Sequence, residues 1–266
     1  MRSDESFWNF WVDKGGTFTD IIARSPNNKI YTKKILSSTL ENNQDPIITG
    51  IRSILRIKKN TNIPIDRIKS INVGTTIATN ALLENKGDNT LLLTTEGFGD
   101  SLEIGYQSRP KLFDLNIKKN KMLYTKVVEV EERIDVNGKI IKKLDLKKEK
   151  QKILKVLNSQ NLGIKSIAIN LMHAWKYPNH EIQLLKLLKE IGFNEVSSGH
   201  DISPTIKFIK RGDTTVLNAY LSPIVSRDIS NLRHALFGKW DKKLDNEKLK
   251  INYMQSNGGL SSWDQY

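Results

Sequence analysis

The residues with the most chemical content lie near the N-terminus, in Asp13-Lys14-Gly15-Gly16-Thr17-Phe18-Thr19-Asp20. Paired glycines let backbone N–H groups come close to an oxyanion, threonine hydroxyls donate to phosphate oxygens, and a carboxylate at a strand end holds Mg2+ through water. Both GxxxxGK[ST] and GxGxxG are absent, so the device that fits these residues is a phosphate loop built on a β-hairpin. The same residues also suit a tight type I′ or II′ turn with polar decoration. A second segment, Gly74-Thr75-Thr76-Ile77-Ala78-Thr79-Asn80, puts small hydroxylated residues where a strand becomes a helix. Unpaired N–H groups at a helix N-terminus favour an anion. Plain N-capping by Thr75 or Thr76 accounts for the same residues, and the two readings can hold together.

Other candidates carry less. His173, His180 and His200, with Asp201, lack the short or i, i+4 spacings of a metal site, and surface or capping roles are expected. Arg109, before Pro110, can hold a substrate carboxylate or pair with a nearby acid. Trp8 and Trp11 read as core patterning on one strand.

The elements that must position these residues follow from apolar periodicity. Residues 7–12, 18–23 and 30–36 read as a three-stranded meander, 45–57 as a helix, and 68–73 as a strand entering Gly74 and a helix over 77–83. A strand over 91–95 follows. Residues 127–134 and 139–144 are expected to pair through Asn137-Gly138 as a β insertion near 125–145. Helix 146–157, strand 166–171 and helix 180–191 give a βα alternation, and helix 214–236 should kink at Pro223. Strand 251–254 then delivers Gln255-Ser256-Asn257-Gly258-Gly259, seven residues before Tyr266, so a second domain starting near 196 and incomplete at 266 is expected after one spanning 1–195.

Composition narrows the alternatives. The 266 residues contain no cysteine, which excludes disulfide frameworks, thiolate nucleophiles and Cys-ligated zinc. Lys plus Arg is 42 against 29 acids, a formal charge of +13. The excess is mostly lysine, densest at Lys118, Lys119 and Lys121 and then at Lys142, Lys143, Lys147, Lys148, Lys150 and Lys152, with Glu129, Glu131, Glu132 and Glu149 among them. That pattern fits a solvated face better than a nucleic-acid patch. No apolar stretch reaches the roughly 18 residues of a spanning helix, and a cytoplasmic chain without a membrane partner is expected.

Five colinear strings, FWVDKGGTFTDIIA, INVGTTIATNALLENKG, LLLTTEGFGDSLEIGYQSRPKLFDL, RGDTTVLNAYLSP and MQSNGGL, run from residue 7 to about 260 and resemble the hydantoinase/oxoprolinase family. The Arg211 to Thr215 stretch with Asn218 to Pro223 is more similar to the oxoprolinase branch than to the hydantoinase or acetone carboxylase branches. The resemblance implies an α/β, actin-like ATPase (ribonuclease H-like) fold: an N-terminal lobe with the start of a second. It also implies ATP and Mg2+ as cofactors and the ATP-driven opening of 5-oxoproline to glutamate. On that reading Asp13, Thr76 and Asn80 are catalytic, and Asp13, Lys14, Gly15, Gly16, Thr17 and Thr19 bind ATP, with Asp13 also at the metal. Gly74, Thr75, Thr76 and Arg109 face substrate.

Two departures stand out. Lys14 replaces the family's usual arginine, keeping charge and losing the bidentate fork. Family chains also continue well past MQSNGGL, so a C-terminal portion or a separate partner subunit is expected to complete the cleft. The alternatives are a catalytically incomplete fragment or subunit of a hydantoinase or acetone carboxylase type enzyme and, from charge alone, a basic nucleic-acid-binding protein.

Overall fold

The computed structural model describes residues 7–37, 45–58, 61–107, 113, 121–158, 162–238, 249–255 and 257–262. In chain order the strands are β1 (Trp8–Lys14), β2 (Phe18–Arg24), β3 (Ile30–Leu36), β4 (Ile68–Thr75), β5 (Thr90–Thr95), β6 (Tyr124–Val130), β7 (Arg133–Ile134), β8 (Ile140–Lys142), β9 (Ser166–Asn170), β10 (Val196–Ser198), β11 (Lys250–Met254) and β12 (Leu260–Ser262). The helices are α1 (Pro46–Leu55), α2 (Ile77–Leu83), α3 (Ser101–Ile104), α4 (Leu146–Asn158), α5 (Asn179–Glu190), α6 (Gly199–Ile202) and α7 (Phe208–Phe237). Two compact units result, one of Met1–Asn85 with Ile224–Tyr266 and one of Lys86–Pro223.

The first unit is built on a six-stranded sheet ordered β12-β11-β4-β1-β2-β3. β1 pairs antiparallel with β2 and β2 with β3, while β1, β4 and β11 lie parallel side by side. Among β3, β2, β1, β4 and β11, only β2 runs against the others, which is the ribonuclease H-like order. One face is apolar. Phe10, Val12, Ile21, Ala23, Ile71, Val73 and Ile251 pack under Ile47, Ile48 and Ile51 of α1 and Val225, Ile229 and Leu232 of α7. Each fully buried aliphatic contributes on the order of 1.5–3 kcal/mol, so this layer is the unit's main source of stability. α1 starts where Asp45 accepts the Ile47 amide at 2.8 Å with Pro46 in the first turn, and stops where Arg56 turns left-handed.

The opposite face is different. Trp11 is 41% exposed and Ile22 47%, with the Arg24 guanidinium 6.0 Å from the Trp11 ring. Trp8 packs against the core while Trp11 does not, because residues three apart on a strand point to opposite sides. Core patterning thus holds for one of the two tryptophans.

In the second unit, β10-β9-β5-β6 form an all-parallel sheet. Leu91, Leu93, Ile167 and Ile169 meet Ile153 of α4 and Leu184 and Leu188 of α5, whereas Leu92 and Ala168 meet Leu102 of α3 and Val216 and Ala219 of α7. Coverage on both faces explains why β5 and β9 read as unbroken buried runs. Residues 127–130 do not form the expected hairpin; they lie in β6, where Val128 and Val130 are buried beside β5. Only Arg133–Ile134 pairs with Ile140–Lys142, around a turn in which Asp135 accepts the Asn137 and Lys139 amides and Gly138 takes φ 87°. α7 begins six residues before the apolar pattern predicts, and Pro223 lies inside it. Among the described residues no helix is long and apolar enough to cross a membrane.

Two histidines are tied to buried carboxylates rather than set at the surface. His180 Nδ1 lies 2.7 Å from Glu132 Oε2, and Glu132 Oε1 also accepts the Thr95 hydroxyl. Glu181, fully buried, accepts the Leu171 amide at 2.8 Å and both the amide (2.9 Å) and Nδ1 (2.7 Å) of His200. The hydrogen bond to Glu181 raises the His200 pKa above the ordinary histidine value against the opposing effect of burial. A raised folded-state pKa stabilises fully below the unfolded value, about 6.5, and that contribution is lost as pH rises through the folded one. Chemical denaturation of wild type and His200→Gln between pH 5.5 and 9 should therefore show a stability difference that is largest at the acid end. A pH-independent difference would mean that the pair contributes no charge.

Candidate phosphate-binding site

Because β1, β4 and β11 run parallel as neighbours, the turns that follow them emerge at one edge of the first unit's sheet. The carboxyl ends of adjacent parallel strands are where α/β folds bind ligands. Here they deliver Gly15 to Thr17, then Thr75 and Thr76, then the turn after Met254. That last turn is closed by Gly258 N donating to Gln255 O (2.9 Å) and Gln255 N to Gly259 O (2.8 Å).

The first two turns touch. Thr76 N and Thr75 Oγ1 both donate to Lys14 O at 3.3 Å, which welds the start of α2 to the end of β1. A Cβ on Gly16 would meet Asn80 Nδ2 at 2.8 Å, and one on Gly15 would meet Phe18 O at 2.9 Å. Close backbone therefore requires glycine at 15, whereas a side chain at 16 would have to displace the end of the Asn80 side chain. Asn80 Nδ2 donates to Thr76 Oγ1 at 3.3 Å, so Gly16, Thr76 and Asn80 form one cluster. Thr75 is the capping residue: its hydroxyl accepts the Ile77 amide at 3.2 Å. Thr76 is solvent-exposed at the N-cap position and makes no such cap.

The sequence candidates divide by side. Asp13, Gly16, Thr17 and Thr76 are exposed at this edge, with Gly15, Gly74, Thr75 and Asn80 partly so. The Asp13 carboxylate has no hydrogen-bond or ion-pair partner among the described residues, whereas that of Asp20, across from it in the β1–β2 register, is paired to Lys34 at 2.6 Å. Thr19 is fully buried, on the α1 side of the sheet, and its hydroxyl lies 2.9 Å from Ser37 Oγ. Lys14 is turned the same way, its Nζ 2.8 Å from Asp45 Oδ2 and 2.6 Å from Asp228 Oδ1. Burial depresses the Lys14 pKa, but the Asp45 and Asp228 carboxylates outweigh it and hold the group above the ordinary lysine value. Arg109 lies outside the described residues.

Sequence reasoning missed Ser37. Its amide donates to Thr17 O (2.9 Å) and its hydroxyl to Gly15 O (2.7 Å), holding both ends of the glycine turn. The signal was available in the meander: Leu36 pairs with Phe18, so the hydroxyl one residue further falls beside the turn. Asp45 and Asp228 were missed because one reads as a helix cap and the other lies more than 200 residues from Lys14.

Chemically, the edge offers exposed turn backbone at Gly16 and Thr17, the exposed hydroxyls of Thr17 and Thr76, the Asn80 amide and the Asp13 carboxylate. These fit a phosphate chain accompanied by Mg2+, with Asp13 as the hard oxygen donor near the ion. Asn80 already lies against Gly16, where a Cβ would meet its amide nitrogen at 2.8 Å, so the exposed donors and not an open cradle carry that fit.

Residues 9–192 match the hydantoinase/oxoprolinase N-terminal region and residues 211–266 the hydantoinase/oxoprolinase family model. The chain belongs to the hydantoinase/oxoprolinase family. It is 38% identical to the 5-oxoprolinase of Dictyostelium discoideum over 97% of its own length and 22% of that relative's, so it spans about a fifth of the length of such relatives. The crystal structure of the ATP-dependent caprolactamase from Pseudomonas jessenii matches 95% of this chain at 28% identity and a TM-score of 0.73, over 36% of that chain. A nucleotide-free acetone carboxylase structure matches with the same TM-score at 19% identity, which bears on the fold alone.

Ser37→Ala removes the hydroxyl that holds Gly15 O and leaves the amide bond to Thr17. It should cost about 1 kcal/mol in denaturant unfolding, with amide chemical-shift changes concentrated at Gly15 to Thr19. Shifts spread evenly over the sheet would deny Ser37 its local role.

Proposed function

We propose that this chain supplies the phosphate-loop portion of an ATP-dependent cyclic-amide hydrolase that opens the lactam of 5-oxoproline to glutamate. The observation that carries the reading is the convergence of the Gly15 to Thr17 turn, the Thr76–Asn80 cluster and Asp13 at the carboxyl ends of two paired parallel strands. Family membership and the oxoprolinase and caprolactamase relatives supply the reaction class.

A lactam resists water because amide resonance lowers carbonyl electrophilicity and its nitrogen is a poor leaving group. Transfer of the ATP γ-phosphoryl to the amide oxygen releases ADP and leaves an imidate phosphate. Water adds to that carbon and the C–N bond breaks with proton transfer to nitrogen, leaving an acyl phosphate, which a second water hydrolyses at the carbonyl carbon to glutamate and inorganic phosphate. Within this chain, the turn residues Gly15 to Thr17 bind the phosphate chain through backbone and hydroxyl donors. Asp13 orients Mg2+, which when bound offsets the charge of the phosphates. Thr76 and Asn80 position the reacting groups by hydrogen bonds from the neighbouring helix start. Thr19 and Ser37 fix the turn and touch no ligand. Preorganised donors of this kind act by positioning and electrostatics, the principal means of catalysing phosphoryl transfer.

The remaining clamp comes from elsewhere. Phosphoryl transfer needs contacts on several sides of the triphosphate, and the relatives carry roughly four-fifths of their length outside the matched region. The partner is therefore the C-terminal portion of the enzyme, in the same polypeptide or as a separate subunit. Lysines 142 and 148 bracket Glu131 at 3.4 and 2.7 Å, and such pairing of the basic run favours a solvated face over nucleic acid.

In an assembly containing the complete cleft, Asp13→Ala and Gly16→Val should each abolish Mg-nucleotide binding by calorimetry, and Thr76→Val should lower 5-oxoproline-dependent ATP turnover about 10–100-fold with unchanged circular dichroism. Wild-type affinity in both binding variants would remove the phosphate-loop assignment. The purified chain by itself should form no glutamate from ATP and 5-oxoproline above a Gly16→Val control. Adding the missing portion in trans should restore turnover; turnover without it would show that far less of the cleft suffices.

A further inference from the structure

Lys14 directly precedes the two glycines, where a cation is ordinarily read as a phosphate ligand. Its surroundings oppose that role. The ammonium is on the core side of the sheet, in line after Phe10 and Val12 on β1, and meets two carboxylates at 2.8 and 2.6 Å. All three side chains are nearly enclosed, 12%, 9% and 11% exposed for Lys14, Asp45 and Asp228. Asp45 is occupied twice, since its other oxygen caps α1 at Ile47 N. Asp228 belongs to α7, the helix whose Val225, Ile229 and Leu232 pack against the same core face. The backbone of Lys14 also serves, its carbonyl accepting from Thr75 Oγ1 and Thr76 N. One residue thus joins β1, α1 and α7 through its side chain and β4 and α2 through its carbonyl.

We propose that Lys14 is a positioning residue and not a phosphate ligand: Asp228 and Asp45 clamp it beneath the glycine turn, and this clamp sets the turn's geometry for the phosphate chain. The inference rests on the phosphate-binding reading above for its consequence, though the clamp itself is a property of the chain without nucleotide. Partially buried charge-assisted bonds are strong and directional, so losing one carboxylate releases the end of β1 while the apolar layer stays intact. With one cation facing two carboxylates, the cluster adds no net positive charge to the turn.

The two roles predict opposite signs for one substitution. If Lys14 were a ligand held back by its acids, Asp228→Asn would free a cation and remove an anion near the phosphates, and nucleotide affinity would rise. A clamp requires affinity to fall.

The first measurement uses the full chain without nucleotide. Amide hydrogen exchange in Asp228→Asn should be about tenfold faster at Gly15 to Thr19 and Thr76, while Ile21 and Ile71 in the sheet core keep wild-type protection. Asp228→Glu, which retains the charge, should return the turn to within a few-fold of wild type. Equal acceleration in turn and core, or none in the turn, overturns the clamp. The second measurement titrates Mg-ATP into the assembly that completes the cleft. Weakened binding by Asp228→Asn, rescued by Asp228→Glu, supports the proposal, and tightened binding overturns it in favour of direct phosphate contact. Failure of the wild-type assembly to bind Mg-ATP would refute the phosphate-binding reading instead, and the exchange result alone would then decide the clamp.

Discussion

Parallel pairing of β1 with β4, and of β4 with β11, is the constraint on which the rest of the first unit depends. Parallel neighbours end on the same side, so three turns separated by up to 240 residues of chain must emerge together. The apolar face of these strands is buried beneath α1 and the second half of α7, and a one-residue slip would turn Phe10 and Val12 to solvent. Register is thereby fixed by hydrophobic burial. The position of Gly16 against Asn80 follows from it, and the site inherits its rigidity from the core below.

Asp13 and Lys14 illustrate how strand alternation divides labour between neighbours. Asp13 faces away from the helices and its carboxylate has no partner among the described residues, whereas Lys14 faces the core and is held by two acids. Adjacent charged residues of similar exposure in a linear reading thus have opposite surroundings. Thr17 and Thr19 divide in the same way across the turn: Thr17 is exposed, and Thr19 is buried against Ser37. Only one residue of each pair is exposed at this edge.

Much of this fold was legible in the sequence because its signals are local. The meander, the Gly74 strand-to-helix junction and the βα alternation follow from apolar period and glycine placement, and each recurs in the structure within a few residues. The glycine turn was also legible, since two glycines between short apolar strands have few other uses. Contacts that join distant segments were not. Lys14–Asp228 spans 214 residues, and nothing in the spacing of either points to the other. The buried pairs Glu132–His180 and Glu181–His200 were hidden for the same reason, as isolated histidines look alike whether surface or core. Residues 127–130 were misjudged because Asn137-Gly138 is a strong hairpin signal that serves only a short two-stranded ribbon, while Val128 and Val130 gain more by burial beside β5.

The proposed function puts the phosphates at the carboxyl ends of β1 and β4, over the Gly15 to Thr17 turn. Its most direct test is an amide chemical-shift titration of the isotope-labelled chain, assembled with the missing portion, using Mg2+ and a non-hydrolysable ATP analogue. The largest shifts should fall on Gly15, Gly16, Thr17, Thr76 and Ile77, with smaller changes at Asn80 and little in β2 beyond Thr19. Saturable shifts confined to residues 86–223, with Gly15 to Thr17 unmoved, would contradict it.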